Sequence, residues 1–202
     1  RRGEPKPGRR LARSLQRRKA VIIRKDQPPA TSESDGSGHA VESRRISEAG
    51  GITQFGAYVH TLAPGARASS RHWHEEEDEF LLMLVGEATV IEDEGEHVLG
   101  PGDAACWPAG AVNAHTVVNR SDAPCSYLIC GSRRPRDAVH YPELGQTCHI
   151  EGTDWRIVRD GDGAVLKQGY WNEQERRCTS CGGVLPRSRR EEICEICEPC
   201  RP

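Results

Sequence analysis

The sequence predicts an all-β protein whose central strands close into a barrel or sandwich. Short runs of apolar and β-branched residues recur between residues 51 and 131, among them GAYVHTL, FLLMLV, EATVIE and CSYLICG. Turn sequences such as APGA, EDEGE and GPGD separate these runs, and few segments show helical periodicity. Strands joined by Gly- and Pro-rich turns are typical of an antiparallel meander that closes on itself.

The composition agrees with this fold class. Only 36% of the 202 residues are hydrophobic, and 21 Gly and 13 Pro suit short strands and loops better than long helices. The length allows one well-buried domain and a small module at one end. No stretch approaches the roughly 18 uninterrupted apolar residues of a membrane helix, and no signal-peptide core follows the basic start. We therefore expect no membrane insertion and a cytoplasmic location.

Residues 1–45 are predicted to be a basic arm followed by a linker, both disordered. Residues 1–25 carry eleven Lys or Arg and one acid, Glu4, although the whole chain has a formal charge of −2. Such an arm can bind nucleic acid or an anionic surface, but a disordered terminus is the simpler interpretation. The next segment, DQPPATSESDGSGHAVES, buries too little apolar surface to offset the entropy of ordering.

The barrel domain is predicted to span residues 46–172. Near its end, DWRIV and AVLKQG are expected to pair across RDGDG as a hairpin, because Asp-Gly pairs supply the positive φ that tight turns need. Residues 173–202 then form a separate module that holds five of the nine cysteines.

The stretch RHWHEEEDEF indicates a functional site. His72 and His74 are two residues apart, so in a strand both side chains point to the same face. That face would be the barrel interior, where an unpaired polar group is costly. Imidazole and carboxylate together suit divalent transition metals. A third candidate, His115, follows Pro108 and Gly110 on the next suitable strand, NAHTVVN.

These residues resemble the two sequence motifs of the cupin family. The first motif is a Gly, then His-x-His, then a Glu after four intervening residues and a Gly after six more. Fifteen residues, 87–101, separate the two motifs, and the resemblance covers residues 52–131. Two loop lengths, before His72 and before His115, differ by one or two residues from the common pattern. The matching residues are Gly65, His72, His74, Glu79 and Gly86 in the first motif, and Gly102, Asp103, Pro108, Gly110, His115 and Asn119 in the second.

The resemblance implies a cupin double-stranded β-helix, or jelly-roll barrel, that holds a first-row metal. The ligands it implies are His72, His74, Glu79 and His115. Four such ligands on a six-coordinate metal leave two adjacent positions open for a substrate or dioxygen. The metal is expected to be a divalent transition ion, with Fe, Mn, Zn, Ni and Cu all open. The alternative is a cupin whose site is vacant or holds metal only for structure.

Within the acidic run, the motif spacing selects Glu79 as the ligand. Only Glu79 has six residues between it and Gly86, and it directly precedes FLLMLV, so its side chain can enter the barrel. In this register Leu81, Met83 and Val85 share its face and would line the cavity. The other acids are expected at the barrel mouth, where they are solvated, support a ligating imidazole or repel anions. These acids are Glu75, Glu76, Glu77 and Asp78.

Four further residues are weaker candidates for lining the pocket. Tyr58 and His60 lie on the strand before the histidines, and Trp107 lies on the strand that leads into PAG. Met83 shares the predicted face of Glu79. Core packing is the competing interpretation for Tyr58, His60 and Trp107.

The end of the chain, CTSCGGVLPRSRREEICEICEPC, carries a second metal pattern. Two Cys-x-x-Cys pairs separated by about a dozen residues supply the four thiolates of a tetrahedral zinc site. A structural zinc would replace the core that so short a module cannot build. The expected ligands are Cys178, Cys181, Cys194 and Cys197, with Cys200 as the alternative to Cys197.

Two functional hypotheses follow from these patterns. The first is a metal-dependent cupin enzyme that acts on a small molecule by oxygenation, decarboxylation, isomerisation or bond rearrangement. The second is a ligand-sensing or regulatory cupin whose zinc module and basic arm bind a protein or nucleic acid. The sequence contains no helix-turn-helix pattern, and its basic arm lacks interleaved aromatic residues for base stacking. We favour the enzyme and expect a homodimer.

Overall fold

The computed structural model describes residues 20–35 and 37–170, and nearly all of its regular structure is β-strand. This confirms the all-β prediction. Helical segments among the described residues are α1 (Ile46–Ala49) and a 3-10 turn (Pro142–Leu144). No helix in this part of the chain is long and apolar enough to cross a membrane. In chain order the strands are β1 (Thr31–Ser34), β2 (Ala40–Arg45), β3 (Phe55–Leu62), β4 (Trp73–His74), β5 (Glu79–Val85), β6 (Ala88–Glu92), β7 (Gly95–Leu99), β8 (Ala104–Trp107), β9 (Thr116–Val118), β10 (Cys125–Ser132), β11 (Arg136–Tyr141), β12 (Gln146–Glu151), β13 (Asp154–Arg159) and β14 (Val165–Tyr170).

The predictions for the basic arm and the cysteine module fall largely outside this part of the chain. Residues 1–19 and 171–202 are not among the described residues. The structural zinc on Cys178, Cys181, Cys194 and Cys197 or Cys200 therefore stays a prediction.

The strands form two layers. One layer is a six-stranded antiparallel sheet in the order β1-β2-β3-β10-β5-β8. The other layer is built from two sheets, β7-β6-β9 and β14-β13-β12-β11-β4. Two backbone bridges, Arg67 to Val118 and His72 to His115, join these two sheets. His72 directly precedes β4, and His115 directly precedes β9. The second layer is therefore continuous where the predicted histidines lie.

One hydrophobic core fills the space between the layers. It combines Leu81 and Met83 of β5 with Val90 and Val117 of the opposite layer. Side chains from facing sheets that interdigitate in this way hold the two layers of a sandwich together. The other buried members are Leu62, Ala66, Ala88, Trp107, Cys125 and Tyr127.

The predicted inward face of β5 is confirmed at Leu81 and Met83 and is wrong at Val85, which is 60% exposed. The pairing of β5 with β10 explains the difference. Tyr127 lies opposite Met83 and Ser126 lies opposite Val85, so Leu84 has no partner at this bulge. An extra residue in one strand turns the side chains that follow it towards the other face.

We expect Leu81→Ala to lower the free energy of unfolding by about 2–5 kcal/mol, because Leu81 is fully buried in the core. Leu84→Ala is the matched control on the same strand. Leu84 is 41% exposed, so its truncation should cost much less. Urea unfolding of the two variants measures the difference, and equal losses would contradict the placement of the core face.

The prediction of a linker up to residue 45 is wrong over residues 31–45. Strands β1 and β2 form a hairpin, and β2 pairs with β3 along its length. Val41 packs against the core while Glu42 faces solvent, so at these positions β2 alternates between a core face and a solvent face despite its polar composition. The Asp35 carboxylate accepts hydrogen bonds from the backbone N–H groups of Ser37 and His39 at the turn. The barrel sheet therefore begins before the predicted boundary at residue 46.

The predicted hairpin near the end of the domain is present. Strands β13 and β14 pair antiparallel, and Gly161 and Gly163 in the turn between them have φ values of 92° and 69°. Together with β12, this hairpin extends the sheet in which β11 pairs with β4. Strand β4 carries His74, so this extension lies beside the predicted metal site.

Candidate metal centre

Two of the predicted histidines lie on directly paired backbone positions. The backbone N–H of His72 donates to the carbonyl of His115 at 3.1 Å, and the N–H of His115 donates back at 2.9 Å. Residues that exchange both hydrogen bonds in an antiparallel pair are directly opposite each other. Their imidazole centroids lie 4.9 Å apart, and the ring of His74 lies 5.2 Å from that of His72. The fold therefore gathers the three histidines on the second layer.

Glu79 approaches these histidines from the opposite layer. It begins β5, and its Oε2 lies 2.8 Å from Nε2 of His115. The same oxygen lies 3.8 Å from Nε2 of His72 and 3.8 Å from Nε2 of His74. The ligand atoms of His72, His74 and Glu79 all fall within 4.8 Å of one another. The structure thus brings together all four residues that the motifs predict as ligands.

The other nitrogen of each imidazole is held by an oxygen atom outside this cluster. Nδ1 of His72 lies 2.9 Å from the carbonyl of Ser70, and Nδ1 of His74 lies 2.5 Å from Oδ2 of Asp137. Nδ1 of His115 lies 3.4 Å from the carbonyl of Asn113. For His72 and His74 these acceptors favour a proton on Nδ1, which leaves the lone pair on Nε2 available to a metal, whereas Nε2 of His115 makes a hydrogen bond with Glu79 Oε2.

Asp137 is a site residue that the sequence analysis missed. Its side chain is fully buried on β11, and its two oxygens accept from His74 Nδ1 and from the backbone N–H of Glu76. Burial alone would raise the pKa of Asp137, but these hydrogen bonds outweigh it and lower the pKa. Asp137 therefore holds the ring of His74 as an ionised acceptor.

The pKa shifts of the cluster follow from burial and opposite charge. Burial by itself would raise the pKa of Glu79, but the hydrogen bond with His115 and the charges of His74 and His72 lower it. Burial would lower the pKa of His74, but the hydrogen bond to Asp137 and the charge of Glu79 raise it. For His72 burial dominates and lowers the pKa. An ionised carboxylate beside inward-facing imidazoles is a ligand set that fits a divalent transition metal.

The four acids before Glu79 have different surroundings. Glu75 lies 2.8 Å from Nε2 of His140, and the side chain of Glu76 is exposed. Glu77 is half-buried, accepts from the backbone N–H of Arg134 at 3.0 Å, and has a pKa raised by burial. Asp78 accepts from the backbone N–H of Ala109 at 2.8 Å. Asp137, outside the run, supports the imidazole of His74.

The four predicted lining residues occupy three kinds of position. The indole of Trp107 stacks on His115 with centroids 3.8 Å apart and an interplanar angle of 9°, so it fixes one face of that imidazole. Met83 is 1% exposed and belongs to the core. His60 lies 3.3 Å from the hydroxyl of Tyr127, and burial lowers its pKa to about 4, so its ring is neutral near pH 7. The hydroxyl of Tyr58 accepts a hydrogen bond from Arg133 at 2.9 Å.

Tyr141 is a second residue near the site that the sequence analysis missed. It lies on β11, on the same face as Asp137, and its ring centroid is 5.7 Å from that of His72. Burial raises the pKa of Tyr141 to about 12, so it keeps its phenolic proton at neutral pH. Neither Tyr141 nor Asp137 falls within the sequence motifs.

Two motif glycines position the loops around the site. Gly110 has φ of 75°, and its N–H donates to the carbonyl of His74 at 2.9 Å. Gly86 has φ of 74°, and a Cβ there would lie 2.9 Å from the carbonyl oxygen of Pro124. Positive φ favours Gly at both positions, and at Gly86 the close backbone approach also leaves no room for a side chain.

Comparison with known proteins agrees with the geometry. A family model described as Cupin domain matches residues 58–131. The solved structure of a sugar phosphate isomerase of the cupin superfamily from Silicibacter pomeroyi is 38% identical to this chain. The match covers 63% of this chain and 80% of that one, with a TM-score of 0.60. This chain belongs to the cupin superfamily.

A second solved structure supports the same cupin fold. It is a protein from Acidithiobacillus ferrooxidans, 24% identical, and the match covers 63% of this chain and 81% of that one with a TM-score of 0.59. No curated protein matches the chain. In this cupin domain, His115 reaches the cluster despite the longer loop before it, because backbone pairing with His72 sets its position.

Proposed function

We propose that the cupin domain binds a divalent transition metal and acts as an enzyme on a small molecule. The observation that carries this proposal is the arrangement of the imidazoles around Glu79. Three Nε2 atoms lie 2.8–3.8 Å from Glu79 Oε2, and an acceptor outside the cluster faces each Nδ1. The residues that would hold the metal are His72, His74, Glu79 and His115.

A bound metal would supply a Lewis acid that polarises a carbonyl or hydroxyl oxygen of the substrate. The protein contributes orientation and exclusion of water. Asp137 holds the ring of His74 by a hydrogen bond, and Trp107 holds the ring of His115 by stacking. Leu81 and Met83, on the same strand as Glu79, are buried and exclude water from that side of the site. Fixed, water-excluded polar groups stabilise developing charge more strongly than mobile ones in water do.

Among the possible reactions, we favour isomerisation of a phosphorylated sugar. The support is the 38% identity to the sugar phosphate isomerase from Silicibacter pomeroyi. An aldose–ketose conversion moves hydrogen within one molecule and needs no second reactant. Oxygenation, decarboxylation and other rearrangements remain the competing reaction types, and an activity assay separates them.

Metal analysis of the purified full chain tests the binding step. We expect His74→Ala to lose the cupin-site metal and Cys178→Ser to keep it, since Cys178 belongs to the predicted zinc module. Full metal retention in His74→Ala would falsify the assignment of the site. The metal-loaded wild type is then incubated with aldose phosphates, and ketose phosphate is measured, with Glu79→Gln as the inactive control.

The regulatory hypothesis stays a prediction. The basic residues 1–19 and the cysteine module that would contact a protein or nucleic acid lie outside the described residues. Salt-dependent RNA or DNA binding by the full chain that is lost in residues 20–202, which keep β1 and β2, would support it. The homodimer and the cytoplasmic location also stay predictions.

A further inference from the structure

A stretch of the barrel wall beside Glu79 carries no side chains. On the inner face of the six-stranded sheet, Glu79 pairs with Gly131, and Gly131 pairs with Gly56. A Cβ on Gly131 would meet only Oε2 of Glu77, at 3.6 Å. We call Gly131 and Gly56 the glycine floor. Neighbouring strands are ~4.8 Å apart, so this floor extends ~10 Å from Glu79 across two strands.

A tyrosine and two arginines lie at the far end of this floor. Tyr58 folds back over Gly56, since a Cβ on that glycine would lie 2.9 Å from its ring. Nη2 of Arg133 donates to the Tyr58 hydroxyl at 2.9 Å. Arg45 of β2 is the strand partner of Tyr58 of β3. Its guanidinium lies 5.9 Å from the centroid of the Tyr58 ring.

One carboxylate orients both arginines. Glu48, from the single turn of α1, places Oε1 at 3.3 Å from Nη1 of Arg45 and at 3.6 Å from Nη2 of Arg133. The Tyr58 hydroxyl also donates to this oxygen, at 3.5 Å, so the two guanidinium groups and the hydroxyl surround one carboxylate at the end of the glycine floor. The side chain of Arg133 is 19% exposed and that of Arg45 is 43% exposed, so both remain in reach of a ligand.

We propose that Arg45, Arg133 and the Tyr58 hydroxyl bind the phosphate group of a sugar phosphate whose other end lies at the metal centre. This inference rests on the proposed function and adds the phosphate subsite to it. The planar donor fork of Arg matches phosphate oxygens, and charge-assisted hydrogen bonds of this kind are strong. A floor ~10 Å long is comparable to a small phosphorylated sugar. Because Gly131 lacks a side chain, the sugar carbons can lie over it, between Glu79 and the ring of Tyr58 that covers Gly56.

Calorimetric titration of the metal-loaded full chain tests the subsite, with inorganic phosphate and a hexose 6-phosphate as probes. We expect Arg133→Gln and Arg45→Gln each to weaken binding of both probes about tenfold, equivalent to one charge-assisted hydrogen bond. Arg134→Gln is the matched control. The guanidinium of Arg134 bonds the carbonyl of Glu76 outside this cluster, so its loss should leave phosphate binding unchanged.

Two further measurements separate this inference from the proposed function. Metal content should stay at the wild-type level in Arg133→Gln and Arg45→Gln. Arg133→Lys keeps the positive charge, so it should recover part of the phosphate binding, and it replaces Arg133→Gln if that variant is unstable. Wild-type affinity for both probes in the two Gln variants, or no binding by wild type, would overturn the subsite and leave the metal centre intact. A Glu79→Gln variant that loses metal but still binds inorganic phosphate would support the subsite by itself.

Discussion

Glu79→Gln is expected to abolish stoichiometric metal binding by the cupin domain. The substitution keeps the shape of the side chain but removes the negative charge at the point where Nε2 of His72, His74 and His115 converge. A neutral amide oxygen is a much poorer ligand for a divalent transition ion than a carboxylate. We expect a loss of affinity larger than the roughly 10–100-fold that removal of an outer hydrogen-bond partner costs.

Glu76→Gln is the matched control for this change. Glu76 belongs to the same acidic run, but its side chain is exposed and only its backbone atoms contact the groups around the site. Its metal content should equal that of wild type. Elemental analysis and competition with a chelator measure both variants, and equal metal loss in the two would show that general negative charge, and not Glu79, controls binding.

Asp137→Asn is expected to weaken metal binding about 10–100-fold without removing a ligand. The two carboxylate oxygens of Asp137 serve two donors, His74 Nδ1 and the backbone N–H of Glu76. Asn has one acceptor oxygen, so one of these buried donors loses its partner, which costs about 1–3 kcal/mol. The free energy of unfolding should therefore fall together with the metal affinity.

Asp160→Asn separates the two effects. Asp160 directly follows β13 and accepts a hydrogen bond from Thr147 of β12 at 2.8 Å, away from the four candidate ligands. It should lower stability modestly and leave metal affinity unchanged. Wild-type metal affinity in Asp137→Asn, measured at a temperature where the variant is folded, would remove Asp137 from the site.

The strand pattern and the cupin motifs could be predicted from the sequence because they depend on the spacing of nearby residues. Alternation within β5 placed Glu79, Leu81 and Met83 on one face, and short turns with Gly and Pro marked the strand ends. The alternation failed at Val85 because the bulge that turns it outwards depends on the pairing partner, β10. A bulge of this kind depends on strand pairing, so it cannot be recognised from the sequence of the bulged strand alone.

The prediction of a disordered linker in place of the β1–β2 hairpin was wrong for a related reason. Its residues have the composition of a linker, and the hairpin is held to the sheet by the pairing of β2 with β3. A sequence of this composition is not expected to order by itself, because its gain in apolar burial is small. The same hairpin carries Arg45 to the end of the glycine floor.

By itself, the sequence determined the all-β class, the barrel strands and the four candidate ligands, because each depends on spacing over a few residues or on a known motif. The tertiary structure alone decided which groups surround those ligands. Asp137 lies 63 positions from His74, and Arg133 lies 75 positions from Tyr58. Such contacts arise from the register of paired strands and from the folding of one layer onto the other, which no local pattern specifies.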